Sequence, residues 1–115
     1  QSMAPGEIHL AMFPFGGSIG AKIRPVLALT PYVGPVPEVL VAYITSVVPA
    51  SLLPTDIVID PNAPEYATTR LKTTSVVRLH KLATIHDSDV ARLLGKVAPP
   101  TWDEVEQKLR LLLNL

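Results

Sequence analysis

The sequence predicts a mainly β domain of the α+β class that ends in an α-helix. Its 12 prolines and 6 glycines fall between short apolar runs, as turns joining strands do. Only the C-terminal stretch carries an apolar stripe at three- and four-residue steps. At 115 residues, 48% hydrophobic and 17% charged, the chain has enough apolar side chain for one packed core, so a single domain over residues 3–115 is expected. The absence of cysteine removes disulfide frameworks, thiolate zinc sites and cysteine nucleophiles together. Ten basic residues balance ten acidic ones, so any electrostatic function must be local.

Gln1 and Ser2 stand ahead of Met3 and read as an expression-vector remnant rather than a signal peptide, which would need a long apolar core. The longest apolar run, Val39 to Ile44, has the length of a buried strand and not of a membrane span. A soluble cytoplasmic protein is expected.

Glu7 to Met12 alternates, with Ile8, Leu10 and Met12 on one face and His9 and Ala11 on the other, the pattern of a half-buried strand with His9 toward solvent. Pro14 ends it. Three glycines within residues 16–20 form a loop that delivers the chain to a second strand from Ile23 to Leu29. Thr30 to Pro37 is a turn region. Glu38 to Ile44, almost wholly apolar, should be the central strand, with Thr45 and Ser46 where it emerges. Asp56 to Ile59 makes a fourth short strand, and Asp60 to Arg70 is an irregular polar segment. Thr74 to Leu82 alternates again, and its period of two points Arg78 and His80 the same way. Asp87 or Ser88 should cap a short helix through Val90, Leu93 and Leu94, closed by Gly95. Thr101 and Glu104 form a T-x-x-E capping box for the last helix, whose stripe is Trp102, Val105, Leu109, Leu112 and Leu113.

Between Arg70 and Lys81 lie four cations (Arg70, Lys72, Arg78, Lys81) and no acid. With Lys22 and Arg24 nearby in the sheet, they would form a phosphate-binding face to which Thr45 and Ser46 add hydroxyl donors. The alternative is a solvated edge strand kept from aggregating by its charge. His86, before a helix cap, reads as a surface turn residue. His80, two residues from Arg78, is placed for acid–base chemistry near neutrality. Metal-ligand spacing is absent, as are the phosphate-loop, nucleophile-elbow and dinucleotide motifs, so neither metal nor cofactor is expected.

The run GEIHLAMFPFGGSIGAKIRPVLALT resembles the opening of the MazF/PemK/Kid family of toxin endoribonucleases, in which a G-[DE]-[IV] strand and a Gly-rich loop precede a K-x-R-P-[AV]-L strand. LVAYITS is similar to that family's central strand ending in Thr-Ser, LPTDIVID to the strand after it, and LKTTSVVRLHKLATIHDSDV to its late strand and following turn. Four such segments occur in the family's order from Gly6 to about Leu113. The resemblance implies an SH3-like small barrel or antiparallel sheet of the MazF/CcdB-like toxin fold, working as a homodimer. It implies metal-independent, sequence-specific cutting of single-stranded RNA. In that reaction the ribose 2′-hydroxyl attacks, leaving a 2′,3′-cyclic phosphate and a free 5′-hydroxyl.

Matched position by position, Arg24 of K-I-R-P falls on the family's catalytic arginine and Thr45 on the threonine that holds a phosphate oxygen. The Kid-like branch has a catalytic Arg-x-Asp pair where this chain has Arg78 and His80, so His80 stands in place of the acid. That branch also has a histidine in the first loop, where this chain has Ser18. Substrate-binding candidates are Ser18, Lys22, Ser46, Arg70, Lys72 and Ser75. The expected partners are single-stranded RNA and a cognate antitoxin whose disordered tail would occupy the substrate groove. Two other readings remain open: a gyrase poison of the CcdB-like toxins, and a non-catalytic barrel binding RNA or peptide.

Overall fold

The computed structural model describes residues 2–14 and 22–115. Six strands form one antiparallel sheet: β1 (Glu7–Phe13), β2 (Lys22–Ala28), β3 (Glu38–Thr45), β4 (Asp56–Ile59), β5 (Ser75–His86) and β6 (Val90–Lys96). Their order is β4-β5-β3-β2-β1-β6, with one α-helix among the described residues, α1 (Pro99–Leu113), at the end. The apolar β3 lies centrally, between β5 and β2. A strand buried on both sides reads as a continuous hydrophobic run because neither face meets water.

Both faces of the sheet are covered. On one, Ile8, Leu27, Ile44, Ile59 and Leu79 pack with Val105, Trp102 and Leu109 of α1. On the other, Ala11, Phe13, Val26, Val39 and Val41 pack with Met3 and Ile85. Strand β1 therefore has no solvent face where it begins. His9 is buried rather than solvent-facing, with Nε2 3.0 Å from Glu7 Oε1. Glu7 Oε1 also accepts the Ala4 N–H at 3.0 Å. Partial burial would raise the Glu7 pKa, but the Ala4 hydrogen bond and His9 outweigh it, so the carboxyl titrates below its ordinary value.

The segment leaving edge strand β4 forms a 3-10 helix at Pro64–Thr69 and crosses to the opposite edge. There Thr68 Oγ1 donates to Lys96 O of β6 at 2.9 Å. This bridge between the two edges gives the open sheet its barrel-like closure. It also explains Gly95, where a Cβ would stand 2.3 Å from Thr69 O. Gly95 is thus a close-approach glycine and not a helix cap.

The short helix expected from Asp87 to Gly95 is replaced by a single 3-10 turn, Asp87–Asp89, followed by β6. A helix of two turns gains little by itself, whereas the open edge of β1 offers a ladder from Glu7↔Lys96 to Ala11↔Val90, with register shifts after Ile8 and Leu10. The capping box is not used either. Helix α1 starts two residues earlier, with Ala98 as N-cap and prolines at its first two positions, which bring no N–H to be capped. Thr101 is buried in the first turn, and Glu104 pairs with Lys108 at 2.9 Å. Of the expected stripe, Val105 is fully buried, while Leu113 is exposed.

Strand β5 runs four residues beyond the expected end at Leu82, because β3 accompanies it to Glu38↔His86. The pairing jumps from Ala42↔Leu82 to Tyr43↔Arg78, so Leu79, His80 and Lys81 form a bulge. Simple alternation does not carry across it.

Candidate active site

Strands β2 and β3 pair through Val26↔Tyr43, Leu27↔Ala42 and Ala28↔Val41. The ladder ends at Val26↔Tyr43, and two residues beyond it on the same sheet face stand Arg24 of β2 and Thr45 of β3. Arg24 is half-buried, and its partner in β1 is Ala11, a side chain too small to crowd the guanidinium. The Thr45 hydroxyl accepts the Val47 N–H at 3.1 Å, a local turn that fixes where its oxygen sits as the strand ends. A cation and an oriented hydroxyl thus share one half-exposed strand end.

Arg78 lies on the same face, paired across β3 with Tyr43 and across β5–β4 with Asp56. Its guanidinium is held by Asp56, with Nε to Oδ1 at 3.1 Å and the NH2 nitrogen to Oδ2 at 3.3 Å. The Asp56 side chain is fully buried and that of Arg78 is 16% exposed. Asp56 Oδ2 also accepts the Leu53 N–H at 2.8 Å, and Asp56 O accepts from Lys108 Nζ at 2.8 Å. Sequence reasoning took Asp56 only as the start of a strand. The sole signal available was an acid opening an otherwise apolar segment, and its partner lies 22 residues away.

His80 is exposed, within the bulge. Partial desolvation of the ring and the nearby charge of Arg78 push its pKa below the ordinary 6.5, assisted by Lys81 and opposed by Asp56. The imidazole is therefore neutral, and able to accept a proton, down to lower pH than an isolated histidine. The Lys81 ammonium sits 5.8 Å from the centre of the Tyr43 ring.

The remaining candidates gather elsewhere. Ser46, Arg70, Lys72 and Ser75 line a cleft of about 280 Å³ together with Pro25 and Arg92. Alternation puts Pro25 on the sheet face opposite to Arg24. The six expected cations are consequently divided between two faces rather than gathered on one. Lys22 is exposed at the start of β2, opposite Phe13. Ser75 is buried, its hydroxyl donating to Thr73 O at 2.9 Å. Arg92, absent from the expected set, reaches the cleft because residues 90–96 are a strand beside β1. Ser18 and the glycine loop lie outside the described residues. Among the described residues no group of three or more His, Asp or Glu side chains could hold a metal ion, and no helix is long and apolar enough to cross a membrane.

The family of PemK-like, MazF-like toxins of type II toxin–antitoxin systems matches residues 4–113. No significant sequence match is found among curated proteins. Among solved structures, the Mycobacterium tuberculosis toxin MazF-mt6 is 27% identical, with a TM-score of 0.71 over 95% of this chain and 97% of that one. MazF from Deinococcus radiodurans is 20% identical, with a TM-score of 0.71 over 100% and 99% of the two chains. An endoribonuclease from a mycobacterial species, solved in complex with its cognate antitoxin, is 19% identical, with a TM-score of 0.64 over 96% and 94%. The last two likenesses concern the fold alone.

Proposed function

The chain belongs to the PemK-like, MazF-like toxins of type II toxin–antitoxin systems, and on that premise we propose that it is an endoribonuclease cutting single-stranded RNA in the cytoplasm by attack of the ribose 2′-hydroxyl. The observation that supports this reading is the β2–β3 ladder, which ends at Val26↔Tyr43 and leaves Arg24 and Thr45, both half-buried, as the next residues on the same face of the two strands. Such a reaction needs positive charge on the phosphorane, an acceptor for the 2′-hydroxyl proton and a donor for the departing 5′-oxygen.

Arg24 supplies the charge, its planar fork matching two phosphate oxygens. Thr45 donates a hydrogen bond to a third. His80, neutral at working pH, is the candidate acceptor of the 2′-hydroxyl proton, and Arg78, clamped by Asp56, supplies the nearby positive charge that keeps it so. The departing oxygen takes its proton from Arg24 or from water. Bond formation from the 2′-oxygen to phosphorus and loss of the 5′-oxygen leave a 2′,3′-cyclic phosphate and a 5′-hydroxyl. A homodimer would double the length of the RNA-lining surface. A cognate antitoxin would inhibit the enzyme by occupying it, in keeping with a structural neighbour solved with its own antitoxin.

The test is incubation of purified protein with mixed-sequence RNA in excess chelator, with cut sites and end chemistry mapped. Cyclic phosphate and 5′-hydroxyl ends are expected, and Arg24→Ala should lose roughly a hundredfold to a thousandfold in rate while staying folded. Cutting that stops with chelator, 5′-phosphate ends, or an Arg24→Ala protein as fast as wild type would overturn the reading. Absence of cutting with gyrase inhibition in its place would favour the CcdB-like alternative.

A further inference from the structure

Arg70 and Lys72, expected among the residues that bind substrate, line a cleft on the sheet face opposite Arg24, and the proposed reaction leaves them without a task. There they meet Arg92 around a volume of about 280 Å³. The floor is a row across three strands: Arg92 of β6 pairs with Leu10 of β1, which pairs in turn with Pro25 of β2. Paired residues share a face, so these three side chains stand together, with Leu94 beside them. The opposite wall is residues 70–73, the segment that follows the bridge between the sheet edges. Ser46 and Thr73, both exposed, add hydroxyls. The lining holds no acid, and among the described residues no salt bridge takes in Arg70, Lys72 or Arg92. A rounded cleft of this volume is about 8 Å across, no more than about one Debye length at physiological salt. The three charges therefore repel one another across it, and an anion placed between them relieves all three.

Arg70 has φ 59° and ψ 17°, a left-handed conformation that glycine or asparagine adopts at less cost. The turn around it is held by other groups. Thr69 is fully buried, its Oγ1 donating to Tyr66 O at 2.7 Å, and Thr68 Oγ1 donates to Lys96 O at 2.9 Å. What arginine adds at this position is a long cationic side chain beside the cleft, and a residue kept in a costly conformation for its side chain marks a binding role.

We propose that this cleft binds a small organic phosphate of mononucleotide size, its phosphate oxygens held by Arg70, Lys72 and Arg92 and its ring lying on Leu10, Pro25 and Leu94. Two guanidinium forks suit phosphate oxygens better than they suit a lone point charge. A hollow floored by apolar side chains, with a few convergent polar groups, at the mouth of a barrel-like sheet is the usual form of a small-molecule site, and its volume suits one nucleotide unit. RNA in the act of being cut is a poorer fit, because a strand leaving the cleft for Arg24 would have to turn round the end of the sheet. The inference stands apart from the endonuclease reading, since it uses no residue of the reacting face.

The experiment is equilibrium dialysis of radiolabelled ADP against the purified protein, with unlabelled pyrophosphate and adenosine as competitors. ADP should bind with a Kd below about 1 mM and more weakly as salt is raised. Pyrophosphate should compete at least about tenfold less well than ADP for want of the apolar contact, and adenosine should not compete. Arg92→Gln removes charged donors and should weaken ADP binding about tenfold or more. Arg70→Gly supplies the left-handed residue without the cation, so it should weaken binding likewise while holding Tm at or above that of wild type. Arg24→Ala, on the opposite face, should bind ADP as wild type does, and excess single-stranded RNA with uncleavable 2′-O-methyl riboses should not displace it. No retention of ADP by wild type, retention by both cleft variants within about twofold of wild type, or pyrophosphate or adenosine competing as well as ADP would overturn the inference. So would loss of ADP binding in Arg24→Ala or displacement by the RNA, either of which would move the nucleotide to the reacting face. RNA cutting is read in its own assay, so each of these failures leaves the endonuclease reading intact.

Discussion

The Arg78–Asp56 pair separates two explanations of the same residue. The family resemblance makes Arg78 part of the catalytic set, whereas the structure seats it on a fully buried carboxylate through two hydrogen bonds of 3.1 and 3.3 Å. Replacing Arg78 by Met keeps the aliphatic stem and removes both. Stripping the partner from a buried charge costs about 3–5 kcal/mol. Here the Leu53 N–H still reaches Oδ2 at 2.8 Å and Arg78 is not wholly shielded, so the lower end, about 3 kcal/mol, is expected. Removing both charges in Arg78→Met/Asp56→Leu should recover at least about 1.5 kcal/mol relative to the sum of the single variants, since the uncompensated charge is gone. Urea unfolding at pH 7 reads these differences as shifts in midpoint at constant m. An Arg78→Met protein within about 0.5 kcal/mol of wild type would refute the claim that the pair holds β4 to β5. If that protein also lost cleavage a hundredfold, Arg78 would have to be assigned to the reacting phosphate itself.

Gly95→Ala should be among the costliest single-methyl changes in the chain. Its Cβ would meet Thr69 O at 2.3 Å and Thr68 O at 2.5 Å, both backbone, so the 3-10 segment must move and the Thr68–Lys96 hydrogen bond must break. About 2–4 kcal/mol is expected from overpacking plus one hydrogen bond, and an unchanged urea midpoint would contradict the edge-to-edge bridge. His80, if it accepts the 2′-hydroxyl proton, must be neutral to act, so kcat/KM should fall as pH drops through its pKa. Because burial and the charges of Arg78 and Lys81 depress that pKa, the acid limb should lie below pH 6.5 and should move upward in Lys81→Gln. A limb that survives unchanged in His80→Gln would assign the base elsewhere.

Strands β3 and β4 were legible because short continuous apolar runs preceded by proline leave few alternatives, and β4 was placed to the residue. Strand β6 was not. Val90, Leu93 and Leu94 after an Asp-Ser-Asp turn satisfy a helical period, and nothing local says that the edge of β1 stands open beside them. That single error hid Arg92, whose place in the cleft depends on the strand. His9 was misplaced for a related reason. Alternation predicts one wet face, but a sheet covered on both sides has none where β1 begins, and the histidine is accommodated by Glu7 two residues earlier. At Arg78 the search for an acid looked two residues along the same strand and found His80. The acid stands instead on the neighbouring strand, where no sequence spacing points.

The zero net charge acquires a different meaning once the acids are located. Among the described residues the ion pairs are Glu7 with His9, Asp56 with Arg78, Glu38 with His86 and Glu104 with Lys108. Four acids are thereby paired within the fold, one of them, Asp56, joining β4 to β5, and two of the partners are histidines, which need not be charged. None of these pairs takes in Arg24, Arg70, Lys72, Arg92 or Lys96. At physiological salt, charges more than about 8 Å apart are largely screened. An anion approaching the end of β2 or Arg70 and Arg92 is therefore governed by the charges within that range, not by the formal sum over the chain. A formal charge of zero is thus compatible with a locally cationic surface, because four of the ten acids are already paired within the fold.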